Sequence, residues 1–448
     1  MYMTRFLADC IADRVFHTAP AEVRNKALCC LLDALTSALA AQDVTGSAGA
    51  RLVAMSVFGA GKAPLWFSND RSTNVGAAFA NSASVCALDF DDGHRAARGH
   101  PGAAVIPAVL AEVANGVVDP NDLVAAIIAG YEIAVRIAAA QNPENIKSRQ
   151  SGLWAGYGAV VAASSIRQTA PDMLAHAMAI NGVWAPNQAA NGSSGYATLT
   201  GNHAKEGIPW SVATGLTALE LAEAGYTGPE DILDHPSHFD GQRIKDGLGI
   251  RWEILGTYFK PYSCCRYIHP AIDATIDLMQ SQTLRSKDVL SAEVRTFQWA
   301  QRLQNKIRPK NLVEAQYSLP FCLAVAIRHG ASALAPLNEQ LLCDHEVHAL
   351  AHSVTLVVDD TIDQKFPAET LAQVKLTTPS GDVTSAIVRA RGDISRPMFW
   401  NELTTKFWQV CNNRMSAVRK DAFRAAIAQL ECGDPLPILK EIVGAINP

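Results

Sequence analysis

Between residues 21 and 40, Val23, Ala27, Leu28, Leu31, Leu32, Leu35, Ala38 and Leu39 recur at three- and four-residue steps, the spacing of one buried helix face. Similar alanine-rich periodicity runs through 74–88, 101–115, 121–140, 155–167 and 209–224, with little β-branched alternation between the segments. Thr18 is placed to cap the first of these helices and Pro20 to begin it. Small residues on so many helical faces allow close backbone approach, which predicts one large all-α domain.

The texture changes after about residue 275. "SAEVRTFQW" and "HSVTLVVDD" read as strands, and "TLAQVKLTTPSGDVTSAIVRA" reads as a hairpin turning at Ser380-Gly381. Helices are expected between them, around 318–330 and 344–352. The fold class is therefore mostly α: an all-α domain of residues 1–274 joined by 394–448, and a smaller α+β domain of 275–393. The helical tail after 399 is expected to pack back on the first domain. Two domains also suit a chain of 448 residues.

Composition excludes several functions. A net charge of −5 is wrong for a nucleic-acid partner, because phosphate binding needs a basic face. The apolar stretch "LVAAIIAGYEIAVRIAAA" is interrupted by Glu132 and Arg136, so no membrane span is expected. The start "MYMTRFLADCIADRVF" shows no leader pattern, and a cytoplasmic protein is expected. Ten cysteines include the adjacent pairs Cys29-Cys30 and Cys264-Cys265 but no C-x-x-C, which reads as buried reduced thiols rather than a metal site. His345, His348 and His352 share a helical face, yet no supporting ligand pattern accompanies them. No metal is expected.

Chemistry concentrates in "ALDFDDGHRAARGHPGAAVIP", residues 87–107, in a chain only 18% charged. His100 precedes Pro101 and a helical run, so it stands at a helix N-terminus, where free N–H groups favour an anion. A solvated loop with an ordinary cap is the competing reading. "GNHAKEGIPW" adds His203 and Lys205, "FKPYSCCRYIHPAIDA" adds Lys260, Arg266 and His269, and Arg149 precedes another helix. If these loops converge, the pocket suits a small polycarboxylate. A cation about 4 Å from a carboxylate gains roughly 4 kcal/mol at an effective dielectric near 20.

"AAFANSASVCALDFDD…GHPGAAVIPAVLA", "KEGIPWSVATGLTALELAEAGYTGP" and "FKPYSCCRYIHPAIDA", in this order, resemble the MmgE/PrpD family, which includes 2-methylcitrate dehydratase, cis-aconitate decarboxylase and iminodisuccinate epimerase. The resemblance covers nearly the whole chain. It implies that the α+β part is a lid over a pocket between the domains, that the protein is a homodimer, and that no metal or organic cofactor takes part. It also implies active-site positions at Asp89, His100, Lys205 and Lys260. Three positions depart from the decarboxylase-like members: Gly93 replaces a threonine, Arg149 a histidine, and Phe321 a tyrosine. The expected activity is that of a cofactor-independent lyase dehydrating a hydroxy acid of the 2-methylcitrate type. In that role His100 is the acid/base, Asp89 orients it or a neighbouring donor, and Lys205, Lys260 and Arg149 hold carboxylates. Arg266, Asp92, Gly93 and Phe321 are expected to shape the substrate site, with His203 and His269 as second-choice proton carriers. Epimerisation or isomerisation uses the same deprotonation and is the alternative, ahead of decarboxylation or mere binding.

Overall fold

Alanine and glycine decide how closely the helices approach. The computed structural model describes residues 1–114, 116, 118–145, 150–186, 201–412 and 414–445. Its first half contains α1 (Met3–Ala12), α2 (Ala21–Ala40), α3 (Thr45–Ser56), α4 (Asn74–Cys86), α5 (Gly102–Val113), α6 (Pro120–Ala140), α7 (Ala155–Arg167), α8 (Pro171–Trp184) and α9 (Ile208–Glu223). A Cβ on Gly130 of α6 would lie 2.7 Å from Val105 of α5 and 3.0 Å from the Gly158 carbonyl of α7. One on Gly215 of α9 would lie 2.7 Å from the Gly156 carbonyl of α7. These three contacts draw α5, α6, α7 and α9 into one layer-spanning core. Helix accounts for 56% of the described residues against 8% for strand, so the fold is mostly α.

The caps follow local chemistry. Thr73 accepts from the Gly76 N–H to start α4, and Asp119 accepts from the Asn121 N–H to start α6. Thr18 caps nothing: its hydroxyl donates to the Val15 carbonyl inside a short 3-10 turn, and Pro20 stands at the cap of α2 without a side-chain bond. Proline already fixes the entry angle there, so no hydroxyl is required.

By length and hydropathy α6 could cross a membrane, but 94% of that window is buried inside the protein. Its two charges explain how it is held. Arg136 is fully buried and donates to Glu132 one turn earlier and to the carbonyls of Ile244, Asp246, Gly247 and Arg251. Glu132 accepts from the Ile254 N–H at 2.9 Å. Burial pushes the Glu132 carboxyl up to about 7 despite Ile254 and Arg136. The pair fastens the 244–254 loop to α6.

Two short ribbons went unforeseen in the sequence: β1 (Ala63–Pro64) with β2 (Arg71–Ser72), and β3 (Gly93–His94) with β4 (Thr257–Tyr258). The later strands form one sheet from β5 (Ser291–Thr296), β6 (Val354–Val358), β7 (Leu371–Thr378), β8 (Gly381–Thr384) and β9 (Val388–Arg389), in the order β6-β5-β7-β8 with β9 also on β7. β5 and β6 run parallel; the other pairs are antiparallel. The hairpin turns at Pro379-Ser380, since Thr378 pairs with Gly381. Helices Leu319–His329 and His345–His352 lie where the periodicity predicts them. In the tail, helix Trp400–Cys411 returns to α2, where the Lys406 ammonium sits 2.8 Å from Asp33.

Candidate active site

The chain leaves α4 at Cys86 and crosses the molecule as residues 87–101 before starting α5. Asp89 takes a left-handed backbone (φ 52°), and that turn sends its carboxylate inward. Three cations from distant loops meet it. The Lys260 ammonium lies 3.1 Å from Oδ2 and donates to the Asp89 carbonyl, the Lys205 ammonium lies 3.6 Å from Oδ1, and His100 Nε2 lies 3.7 Å from Oδ1. Burial alone would raise this carboxyl, but Lys260, Lys205 and His100 outweigh it and hold Asp89 well below the usual carboxylate range. Burial depresses the Lys260 ammonium, and Asp89 and Asp91 more than restore it, so its net shift is upward.

His100 is fixed from behind. Its Nδ1 lies 2.8 Å from the Asp92 carbonyl, which can only accept, so Nδ1 carries a proton whatever the charge state. Nε2 is therefore the nitrogen that titrates. Among the described residues its nearest carboxylates are Asp89 Oδ1 at 3.7 Å and Glu206 Oε1 at 3.9 Å, both beyond hydrogen-bond length. Burial and Lys260 pull the imidazole down, but Asp91 and Glu206 overcome them and raise it to about 9. At neutral pH this shift leaves His100 protonated, and its Nε2 borders the cavity with no hydrogen-bond partner among the described residues.

A small cavity lies between Asp89, Asp91, His100, Lys205 and Glu206, with Cys86 and Ile208 as its apolar walls. Both oxygens of Asp91 are buried without a hydrogen bond, though Oδ2 lies 3.3 Å from His100 Nδ1. Among the described residues three carboxylates (Asp89, Asp91, Glu206) thus face three cations (His100, Lys205, Lys260). The cation-rich pocket expected from the sequence is instead close to charge-balanced. Asp89, Asp91 and His100 offer ligand atoms within 4.8 Å of one another, close enough for a metal ion. A dication there would sit beside the two ammonium groups that already hold Asp89, so the donor set does not fit one.

Loop packing explains why these groups stay put. Lys205 also has a left-handed backbone (φ 44°), and its ammonium donates to the Cys86 carbonyl at 2.6 Å and to Gln316 Oε1 at 3.2 Å. Gln316 Nε2 donates in turn to the Ala87 carbonyl, clasping helix Leu312–Gln316 to the end of α4. Ser151 accepts from the His100 backbone N–H and donates to Glu206 Oε2 at 2.5 Å. Residue 99 must be glycine for this, because a Cβ there would land inside contact distance of the Ser151 hydroxyl.

Other expected residues fall elsewhere. Asp92 is buried, but its carboxylate accepts from Tyr131 Oη at 2.5 Å and from the Gly102 N–H, so it anchors the start of α5 rather than facing the cavity. Burial, then Asp33, push this carboxyl up to about 7. Gly93 pairs with Tyr258 across β3 and β4, and the Tyr258 hydroxyl occupies the space a side chain would need. Arg266 reaches the Arg391 and Ala390 carbonyls and Asp393, with its guanidinium over the Tyr258 ring. His269 is buried with Nε2 on the Cys264 carbonyl, and burial, Arg266 and Lys260 push it well below the usual imidazole range. That makes it a poor proton carrier. His203 is exposed, its ring lying against Gly46 of α3. Phe321 is buried in helix Leu319–His329, its ring 6.1 Å from that of His348, and is not among the cavity walls. Arg149 lies outside the described residues.

Sequence reasoning missed Glu206, Ser151 and Gln316. Glu206 had a signal, since it adjoins Lys205 in "KEG"; the other two had none.

A model of the MmgE/PrpD N-terminal domain matches residues 5–246, and one of the MmgE/PrpD C-terminal domain matches residues 262–431. Cis-aconitate decarboxylase from Aspergillus terreus is 25% identical over 357 residues, 72% of each chain. A cis-aconitate decarboxylase-like protein, oryM, from Aspergillus oryzae is 23% identical over 450 residues, 92% of this chain and 91% of that protein.

Proposed function

Because the chain belongs to the MmgE/PrpD family, we propose that it is a lyase acting on a small di- or tricarboxylate, dehydrating a hydroxy acid of the 2-methylcitrate type. The observation that carries this reading is His100 Nε2, which borders the cavity without a hydrogen-bond partner among the described residues while Nδ1 is tied to a carbonyl. Loss of hydroxide needs a proton donor at the leaving oxygen, and an imidazolium raised to about 9 is present as that donor at neutral pH. Lys260 and Lys205 hold Asp89 and supply the positive field in which charge beside a substrate carboxylate is stabilised as it develops. Asp89, His100, Lys205 and Lys260 are the residues assigned to the chemistry. Segment 275–393 is read as the lid, and the protein as a cytoplasmic homodimer working without metal or organic cofactor.

Decarboxylation, the activity named for the relatives, would draw on the same enolate-like state but needs no acid for a leaving hydroxide. A second reading, epimerisation of an amino- or iminodicarboxylate, is favoured by one observation: three carboxylates border the cavity and suit a substrate bearing a cationic nitrogen.

The test is a panel of citrate, 2-methylcitrate, aconitates and iminodicarboxylates followed by NMR in deuterated buffer, with and without EDTA. Water loss from a hydroxy acid, unchanged by the chelator, is the expected result. Solvent deuterium entering an iminodicarboxylate without elimination would move the assignment to the epimerase. Carbon dioxide release from cis-aconitate would overturn both.

A further inference from the structure

We propose that Glu206 is the second proton carrier of this site, the base that complements His100 as acid. The proposal rests on the dehydratase reading and names what that reading lacks. In that reading His100 is the acid, so some other group must take the proton from the carbon beside the substrate carboxylate. Asp89 is unsuited to it, held by two ammonium groups. Asp91 lies behind the ring, 3.3 Å from Nδ1.

Glu206 has the required placement. Its Oε2 accepts from both the Ser151 hydroxyl (2.5 Å) and the Ser151 N–H (3.1 Å), which fixes the rotamer. Oε1 has no closer nitrogen partner among the described residues than His100 Nε2 at 3.9 Å, so it opens on the same space as the donor. The left-handed residues Lys205 and Gly207 flank it. Consecutive side chains are thereby turned inward, Lys205 to Asp89 and Glu206 to His100. Only the N-cap Gly207 separates Glu206 from α9, whose N-terminus favours a nearby carboxylate.

The step balances. Glu206 Oε1 takes the proton, and the C–H electron pair becomes the new C=C bond. The C–O bond of the β-hydroxyl breaks, and the departing hydroxide takes the Nε2 proton and leaves as water. Glu206 is then a carboxylic acid and His100 is neutral. Return of one proton from Oε1 to Nε2 through a bridging water restores both.

The experiment compares wild type, Glu206→Gln, Glu206→Asp, Glu206→Ala, Ser151→Ala and His100→Gln on 2-methylcitrate, citrate and an iminodicarboxylate in deuterated buffer. It reads water loss and deuterium wash-in separately. Glu206→Gln, which can still accept from Ser151, is expected to lose both by about a hundredfold or more with KM within about threefold. His100→Gln is expected to lose water elimination yet keep wash-in, a split that a merely structural role for Glu206 would not produce. Glu206→Asp and Ser151→Ala should fall between, and added formate should rescue Glu206→Ala. Melting temperatures check that each variant is folded. A wild type active on the panel with Glu206→Gln within about threefold of it overturns this inference and leaves the dehydratase reading standing. A wild type inert to every compound, in elimination and exchange alike, overturns both.

Discussion

Two buried clusters of charge in this protein differ in one respect. Around Arg136, every donor has an acceptor: Glu132 and four loop carbonyls enclose the guanidinium, and Glu132 has its own N–H donor from Ile254. Around His100, Nε2 has nothing within hydrogen-bond reach among the described residues and neither Asp91 oxygen accepts a hydrogen bond. Burial and charge are common to both; only the second leaves polar groups unsatisfied. A closed cluster holds loops together, whereas an open one keeps interactions in reserve for a guest.

The comparison can be broken most forcefully at Arg136. Arg136→Met leaves four carbonyls and a buried carboxylate without their partner, and about 3–5 kcal/mol of unfolding free energy should be lost in urea titrations. Turnover per folded molecule should not change; a selective loss of activity would mean that the closed cluster also serves the chemistry. His100→Gln should show the reverse, with water elimination down about 10²–10³-fold (roughly 3–4 kcal/mol of barrier) and a melting temperature that approaches wild type only above the folded-state value of about 9. Gly99→Ala should cost about 1–3 kcal/mol, because the new methyl displaces Ser151, and it should slow turnover through Glu206 as well. Wild-type stability there would show that the loop yields easily.

The smallest effect is a pH dependence. His100 rises from an ordinary 6.5 to about 9 in the folded protein, so folding takes up its proton more readily than the unfolded chain does. The stability this gives is fully present below pH 6.5 and is lost as pH rises through 9. The stability gap between wild type and His100→Gln should therefore narrow by about 1–3 kcal/mol across that window in thermal melts. A gap independent of pH would mean that His100 is not charged in the resting site.

Much of the architecture was legible because it is local. Helical spacing placed α7 at Ala155–Arg167 and α9 at Ile208–Glu223, within a residue of the expectation. The crowding at 89–100 and the Lys205 and Lys260 loops, expected to converge, do meet around Asp89. What escaped was long-range or geometric. Arg266 and His269 read as pocket residues beside Lys260, yet the former turns to Asp393 and the latter to Cys264. Nothing in local sequence says where a side chain points after a turn. Ser151 and Glu206 meet across 55 residues, and Gln316 reaches Lys205 across 111. The charge balance was hidden for the same reason: lysines are conspicuous in a list of loops, and the carboxylates opposite them become visible only in space.

Cys86 and Ile208 are the two cavity walls without an ionisable role in this scheme. Anyone wishing to retool the protein for a bulkier or slimmer acid should begin a variant library at those two positions. The proton-handling wiring would remain untouched, and each exchange would adjust preference by about 1–3 kcal/mol.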